Sequence, residues 1–418
     1  MKCRVDAMKR ILLIAFYFPP FHRSSGSLRV LKFIKYLPEF GFEPVVLTAN
    51  PRAYDKTDDN LYSQLPETLT VHRAFALDAK QHLSFRGSYL DVTALPDRYS
   101  SWIPAAIAKG QQVIRKEKID AVFSTSPIPS AHIIAYALNR LTGKSWIADF
   151  RDPVWDQHYQ GSETRLRAWQ KIEAMSMKNA QAVTVTTHGI RQLFLERYAR
   201  IESHKINVID NGYDESDFAG ISTKQHSKSK SIRLVHAGLL DPVDRDPVPF
   251  FRAIGLLLER KPELINKLNI DLFAPGDESG TYARQIENLS LSEVIQIRPA
   301  LPYHLILQEM IESDLLLLFQ GKSCDTQIPA KLYEYLRIGR PILALTTEGG
   351  ETGRLLRSLR AGEVVPLDKC EPICFALEKL ISQIEQGAEI PAAKPEIAAQ
   401  FSRRSQTKNF ADLLHSIT

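Results

Sequence analysis

Short apolar runs that alternate with amphipathic helical patterns are the feature that most constrains the fold of this chain. In the first half the runs are ILLIAFYF, EPVVLTAN, DAVFSTSP, SWIADF, AVTVTT and INVIDNG, and segments such as LRVLKFIKYLPEF lie between them. The second half continues with IRLVHAGLL, LNIDLFAP, VIQIRPAL, DLLLLFQ, RPILALTT and GEVVPL. Buried strands that alternate with amphipathic helices are typical of a parallel sheet covered on both faces.

A polar stretch rich in lysine and serine, SDFAGISTKQHSKSK, separates the two series of runs. The chain has 418 residues, which is too many for one hydrophobic core. The sequence therefore predicts an α/β protein with two doubly wound, Rossmann-like domains that face each other across a cleft. We expect the first domain to span residues 1–215, the linker 216–230 and the second domain 231–395.

Composition excludes several classes of protein. With 44% hydrophobic and 24% charged residues the chain is an ordinary globular protein, and a net charge of +5 is too small to indicate a nucleic-acid partner. The four cysteines form no pattern of a disulfide framework or a zinc site, which favours a cytoplasmic setting. No apolar run approaches the roughly 20 residues of a membrane span, so we expect any membrane contact to be peripheral.

The apolar run near the start of the chain has two readings. A basic lead followed by Ile11–Phe18 resembles a signal peptide, but the run is short and stops at Pro19-Pro20 without a small-residue cleavage site. A buried first strand after a basic lead has the same pattern. We therefore favour the strand.

Two segments of the first half place polar groups after predicted strands. Gly26 and Ser27 come just before a helix, where bare backbone N–H groups could meet an anion or simply form a helix cap. The loop lacks the GxGxxG fingerprint, which argues against a nicotinamide or flavin dehydrogenase. Asp149, Arg151 and Asp152 crowd into ADFRDPVW after another strand, so we expect either a local ion pair or a substrate site.

The second half has its own candidates. Gly238 ends a strand and would let a ligand approach the backbone, and Arg245 lies near the next helix start, where it could bind phosphate or pair with Asp244 or Asp246. Lys331 and Glu334 are three residues apart in IPAKLYEYLRIGRPILAL. They thus share one side of a helix near its positive end, either as an exposed ion pair or as groups for a diphosphate and a ribose.

Together, YFPP and SGSLR, DFRDP, HAGLL and IPAKLYEYLRIGRPILAL resemble the GT-B fold glycosyltransferases of the retaining family 4 group. The resemblance implies that Glu334 is the second glutamate of an E-x7-E motif and binds the donor ribose. It places Thr326 at the first acidic position of that motif, with Asp325 adjacent. It also implies a closing carboxyl-terminal helix, predicted at 396–418, that packs back on the first domain.

The resemblance implies a transferase that moves a sugar from a nucleotide-diphosphate-sugar donor to a glycan or lipid-linked acceptor, with retention, in cell-surface polysaccharide or glycolipid synthesis. The expected donor-binding residues are Gly26, Ser27, Gly238, Arg245, Thr326, Lys331 and Glu334, and the expected catalytic residues are Asp149, Arg151 and Asp152. No cofactor, metal or nucleic acid is expected. Peripheral contact with the inner face of the cell membrane stays open. So do two other functions: a GT-B sugar-nucleotide epimerase and a non-catalytic sugar-nucleotide-binding scaffold.

Overall fold

The protein divides into two compact units. Unit 1 comprises residues up to Asp210 together with Arg403–Thr418, and unit 2 comprises Asn211–Ser402. The computed structural model describes residues 8–21, 25–84, 91–156, 159, 161–221 and 231–418. Within these ranges no helix is both long enough and apolar enough to cross a lipid bilayer.

Unit 1 is built on a parallel sheet of seven strands. The strands are β1 (Lys9–Ile14), β2 (Phe42–Ala49), β3 (Thr70–Ala74), β4 (Ala121–Thr125), β5 (Ser145–Phe150), β6 (Ala182–Val185) and β7 (Ile206–Val208). Their order in the sheet is β3-β2-β1-β4-β5-β6-β7. The chain thus reverses its direction of winding between β1 and β4, which is where such sheets open a crevice for ligands.

Helices cover both faces of this sheet. They are α1 (Ser25–Tyr36), α2 (Ala79–His82), α3 (Trp102–Lys116), α4 (Ser130–Thr142), α5 (Glu163–Asn179) and α6 (His188–Arg197). The alternate residues of β1 enter two different hydrophobic clusters, Leu12 and Ile14 on one face and Ile11 and Leu13 on the other. This explains why the run has no polar alternation. The residues Ile11–Ile14 form part of a buried strand, as the favoured reading of that run predicts.

Unit 2 repeats the design with six parallel strands. They are β8 (Ile232–Ala237), β9 (Leu268–Phe273), β10 (Ile295–Arg298), β11 (Leu315–Phe319), β12 (Ile342–Leu345) and β13 (Glu363–Val365). The order is β10-β9-β8-β11-β12-β13, which places the switch point between β8 and β11. The prediction of an α/β protein with two doubly wound sheets is confirmed.

The helices of unit 2 follow its strands in alternation. They are α7 (Val248–Arg260), α8 (Thr281–Asn288), α9 (Tyr303–Ile311), α10 (Ala330–Ile338), α11 (Glu351–Leu359), α12 (Cys370–Gln386) and α13 (Pro395–Ala399). The four central leucines of β11 also divide between two hydrophobic clusters, so this strand is buried on both faces. Because helices alternate with parallel strands, the loops that follow the strands all lie at one edge of the sheet.

The boundaries differ from the predicted ones by a few residues. The units divide after Asp210, and the turn Glu215–Phe218 already belongs to unit 2. Of the predicted linker 216–230, residues 222–230 lie outside the described residues. The last helix, α14 (Arg403–Ile417), belongs to unit 1 and places the Phe410 ring 4.7 Å from that of Phe33 in α1. The start of the predicted segment 396–418 belongs instead to unit 2.

Candidate functional site

The switch point of unit 2 collects five of the predicted donor-binding residues, Gly238, Arg245, Thr326, Lys331 and Glu334. Gly238 follows β8, and the loop from Gln320 to Pro329 joins β11 to α10, which carries Lys331 and Glu334. Because β8 and β11 are neighbours, their carboxyl ends meet at the same edge of the sheet. The site can therefore be assembled within one unit.

Gly238 makes room for Lys331. The backbone of Gly238 has a φ of +112°, a conformation that favours glycine, and a Cβ built on it would lie 2.8 Å from Nζ of Lys331. Any side chain at this position would therefore displace the ammonium group. The sequence predicts that Gly238 lets a ligand approach the backbone. In the structure the group that approaches it is the ammonium group of Lys331.

The amino-terminal end of α10 adds positive potential beside this lysine. The helix begins at Ala330, after Pro329, and no side chain of a described residue is seen to cap its first N–H groups. Uncapped N–H groups at a helix start attract anions. The loop before the helix is held by Gln320, whose Nε2 donates to the carbonyls of Cys324 at 2.8 Å and Gln327 at 3.0 Å.

Lys331 has no direct ion-pair partner in the part of the chain that the structure describes. It forms no hydrogen bond or ion pair with any described residue. Burial lowers its pKa to about 7, the nearby guanidinium of Arg245 contributes to the shift, and Glu334 opposes it. An anionic ligand would stabilise the protonated form of this lysine and would raise its pKa again.

Arg245 is the second cation of the site. It closes the loop Asp241–Arg245 after β8, where its backbone N donates to the Asp241 carbonyl at 3.1 Å. Its Nη1 lies 3.5 Å from Oδ2 of Asp241, at the long end of an ion pair, and both side chains are 35% exposed. The sequence suggested Asp244 or Asp246 as the partner, and the structure shows Asp241. A half-exposed pair of this length contributes little and leaves the guanidinium available to a ligand.

His236 is a member of the site that the sequence did not reveal. Its ring is fully buried in β8, with Nδ1 2.9 Å from the Leu317 carbonyl and Nε2 3.0 Å from the Gly238 carbonyl. Burial lowers its pKa far below the ordinary value, and the positive charges of Lys331 and Arg245 add to the effect. The ring lies between these two carbonyls and so links the ends of β8 and β11 at the switch point.

Glu334 is oriented by a tyrosine. The hydroxyl of Tyr303, at the start of α9, donates to Oε1 of Glu334 at 2.5 Å. The carboxylate is half-buried on the same helix as Lys331. Tyr303 lies 31 residues before Glu334. The two residues meet only when the fold brings α9 and α10 together, so no local sequence signal identifies Tyr303.

The first acidic position of the expected motif has no carboxylate. Thr326 is half-buried in the loop before α10, and the neighbouring Asp325 has a buried Oδ1 without a hydrogen-bond partner. A Cβ on Gly350 would lie 2.9 Å from that oxygen, so the Asp325 carboxylate packs against the loop after β12. The contact that the resemblance implies for the sugar ring thus stays a prediction for Thr326.

Unit 1 corrects the expectation for Asp149. This side chain is fully buried. Its carboxylate accepts hydrogen bonds from Arg29 at 3.1 and 3.3 Å, from Thr125 at 2.7 Å and from Thr184 at 2.7 Å. Burial alone would raise the pKa of Asp149, but Arg29 and the two threonines outweigh it and lower the pKa. A buried carboxylate whose oxygens are occupied in this way cannot contact an acceptor substrate, so Asp149 is a structural residue.

Gly26 and Ser27 also differ from their predicted placement. Both lie in the first turn of α1, which begins at Ser25, and not in a loop ahead of the helix. Ser27 is only 3% exposed, so its hydroxyl is not presented to a ligand in solution. The preceding residues 22–24 lie outside the described residues.

Arg151 and Asp152 follow β5 and are held by their backbone. The amide of Arg151 donates to Oγ of Ser126 at 3.0 Å, and Thr186 donates to the Arg151 carbonyl at 2.7 Å. The next residues are anchored by the buried carboxylate of Glu173, which accepts from the amide of Val154 at 2.9 Å. The Asp152 side chain is exposed, whereas the Arg151 side chain is half-buried.

The chain is similar to known proteins in part of its sequence and in its fold. Residues 26–212 match the family model of the glycosyl transferase 4-like domain. Anabaena HepE in complex with UDP-glucose has a TM-score of 0.66 at 15% identity, with 97% of this chain and 99% of that chain covered. The comparison with curated protein sequences found no match.

Two further solved structures have a similar fold. The apo form of the lipopolysaccharide outer core galactosyltransferase WaaB has a TM-score of 0.64 at 12% identity, covering 97% of this chain and 99% of that one. The amino-terminal domain of Candida albicans trehalose-6-phosphate phosphatase has a TM-score of 0.68 at 12% identity, covering 100% and 99%. At these identities the likeness shows a shared fold.

The chain has the GT-B fold, and its residues 26–212 are similar to the glycosyl transferase 4-like domain. The predicted resemblance to GT-B, family 4-like glycosyltransferases is thereby confirmed. Within the described residues of this GT-B protein, no group of three or more His, Cys, Asp or Glu side chains is arranged to hold a metal ion.

The Arg29–Asp149 pair gives a stability prediction for unit 1. Replacing Arg29 with Met should destabilise this unit by about 3–5 kcal/mol, because the Asp149 carboxylate would stay buried without its counter-charge. All four tryptophans, Trp102, Trp146, Trp155 and Trp169, belong to unit 1, so urea denaturation followed by their fluorescence reports on this unit alone.

The matched control for this change is Arg167→Met, which removes an exposed pair with Glu163 on α5. This variant should lose no more than about 0.5 kcal/mol. Equal losses in the two variants would contradict the structural role of the buried pair.

Lys331 gives a prediction on pH dependence. Its pKa in the folded protein is about 7, below the roughly 10.4 of an unfolded lysine. Between these values the unfolded state binds more protons, so the protein should gain stability as pH rises, with a limiting slope of about 1.4 kcal/mol per pH unit. Lys331→Met should therefore be the more stable form at pH 6, and its advantage should shrink towards pH 10.

Urea denaturation followed by circular dichroism, with the unit 1 transition identified by tryptophan fluorescence, measures this difference. Lys322→Met, at an exposed lysine in the neighbouring loop, is the control and should show no such trend. A constant difference between Lys331→Met and the unmodified protein from pH 6 to pH 10 would show that Lys331 has an ordinary pKa.

Proposed function

We propose that this protein is a glycosyltransferase that moves a sugar from a nucleotide-diphosphate-sugar donor to a glycan or lipid-linked acceptor. The observation that carries the proposal is the group at the switch point of unit 2: two cations and an uncapped helix start beside an oriented carboxylate. A nucleoside diphosphate needs this combination, an anion site for its phosphates and acceptor oxygens for its ribose.

The phosphate part of the donor would bind at Lys331 and Arg245. The leaving group of the transfer is a nucleoside diphosphate, and negative charge grows on it as the glycosidic bond breaks. Two cations and the positive end of α10 can stabilise that charge in place. In this proposal the reaction proceeds without a metal ion.

The ribose would bind at Glu334. One oxygen of this carboxylate accepts from Tyr303, which fixes the side chain. A carboxylate can accept several hydrogen bonds, and a ribose hydroxyl would donate one of them. We propose uridine as the base, supported by HepE, whose structure contains UDP-glucose. Gly238 and Thr326 would contribute to the same donor site through the loops after β8 and β11.

On the acceptor side the proposal relies on Asp152. Its side chain is exposed beside the end of β5, where it can orient an acceptor hydroxyl, and Asp149 is too buried to share this role. We propose that the sugar is transferred with retention, on the strength of the family resemblance. A place in cell-surface polysaccharide or glycolipid synthesis, with peripheral membrane contact, belongs to the same proposal.

The ribose assignment is tested by Glu334→Gln. Loss of a hydrogen bond to a charged acceptor should weaken UDP binding by about 10- to 100-fold, equivalent to 1.5–3 kcal/mol. Binding of inorganic pyrophosphate, which has no ribose, should not show an equal loss. Isothermal titration calorimetry of both ligands measures the two effects.

Glu312→Gln is the control, since Glu312 directly follows α9 and accepts a hydrogen bond from Gln308. UDP should bind this variant as tightly as the unmodified protein. If Glu334→Gln binds UDP with undiminished affinity, or loses pyrophosphate equally, the ribose assignment is wrong.

A further inference from the structure

The guanidinium of Arg151 lacks the partners that a half-buried arginine normally has. Arg151 follows β5 in unit 1, and its Nε is buried without a hydrogen-bond partner. The side chain forms no hydrogen bond or ion pair with any residue in the described ranges. Arginine carries five N–H donors, and no described residue accepts from any of them here.

The neighbouring charges do not supply the missing partner. Both oxygens of Asp149 are occupied by Arg29, Thr125 and Thr184, and Asp152 lies beyond ion-pair distance with an exposed side chain. Burial lowers the pKa of Arg151. The carboxylates of Asp152 and Asp149 oppose this shift, and the positive charge of Arg29 adds to it.

An unpaired guanidinium in such a position is costly, because its Nε is removed from water and no described residue replaces the lost hydrogen bond. The backbone of Arg151 is nevertheless fixed on both sides, by Ser126 and by Thr186. A cation that is held in place and left unpaired is ready to receive an anion from solution.

We propose that Arg151 is the counter-charge for an anionic group, a phosphate or a carboxylate, of the acceptor. The planar fork of an arginine matches both groups, which accept two parallel hydrogen bonds. The assignment to the acceptor rests on the proposed function, because the donor diphosphate already has Lys331 and Arg245 in unit 2. The acceptor would then be a glycosyl phosphate, a phosphate-linked lipid sugar or an acidic sugar, and not a neutral glycan.

The experiment follows the Nε–Hε resonances of the arginines in the full-length protein by nitrogen-15 nuclear magnetic resonance. The resonance that is missing in Arg151→Gln identifies Arg151. Methyl phosphate, acetate and UDP are titrated separately at constant chloride and constant ionic strength. The two small anions distinguish a phosphate from a carboxylate, and UDP represents the donor.

We expect methyl phosphate or acetate to shift the Arg151 resonance with saturation, and Arg151→Gln to weaken binding of that anion at least about tenfold. Arg115→Gln, at an exposed arginine in the last turn of α3, removes the same charge elsewhere and should leave the titration unchanged. A shift with UDP but with neither small anion would overturn the proposal, because Arg151 would then serve the donor. The absence of any saturable shift would overturn it as well.

Failure here is distinct from failure of the proposed function. If UDP binds by calorimetry but neither small anion reaches Arg151, the acceptor inference is wrong and the donor site stands. If a small anion titrates Arg151 but UDP does not bind the protein, the donor proposal is wrong and the anion site stands, with its assignment to an acceptor removed.

Discussion

Burial of both faces of two parallel sheets is the constraint on which the rest of the structure depends. Strands such as β1 and β11 enter a hydrophobic cluster on each side, so their interiors tolerate few polar side chains. In these two strands charged residues are consequently found only at an end, because Lys9 and Arg10 begin β1 and β11 contains none. In a parallel sheet the carboxyl ends of the strands share an edge, and the polar chemistry of each unit is concentrated there.

The charges at these edges fall into two physical classes. The Arg29–Asp149 pair is fully buried and satisfied, and it joins α1 to the ends of three strands. Lys331 and Arg151 are cations that the described residues leave without partners. The first class stabilises the fold. The second class costs stability unless a ligand supplies the opposite charge, which is why both cations enter the functional proposals.

Much of this architecture could be predicted because the apolar runs are continuous. All six strands of unit 2 correspond to predicted runs, whereas β3 of unit 1, with the sequence TVHRA, was missed because an edge strand is less buried and less apolar. Gly238, Lys331 and Glu334 were identifiable from their places after strands and on one helix face. His236 and Tyr303 were not, since their roles depend on partners that only the folded sheet brings near. Asp149 was misassigned because sequence cannot show whether a carboxylate is satisfied.

Hydrogen–deuterium exchange with and without UDP tests the central claim, that the switch point of unit 2 is a donor site, most directly. The account predicts slower exchange of the backbone amides around Gly238, in the loop Asp241–Arg245 and in the first turn of α10, where the diphosphate would meet the protein. The amides of β5 and the following loop in unit 1 should be unaffected by UDP alone. Protection confined to unit 1, or no protection at saturating UDP, would contradict the claim.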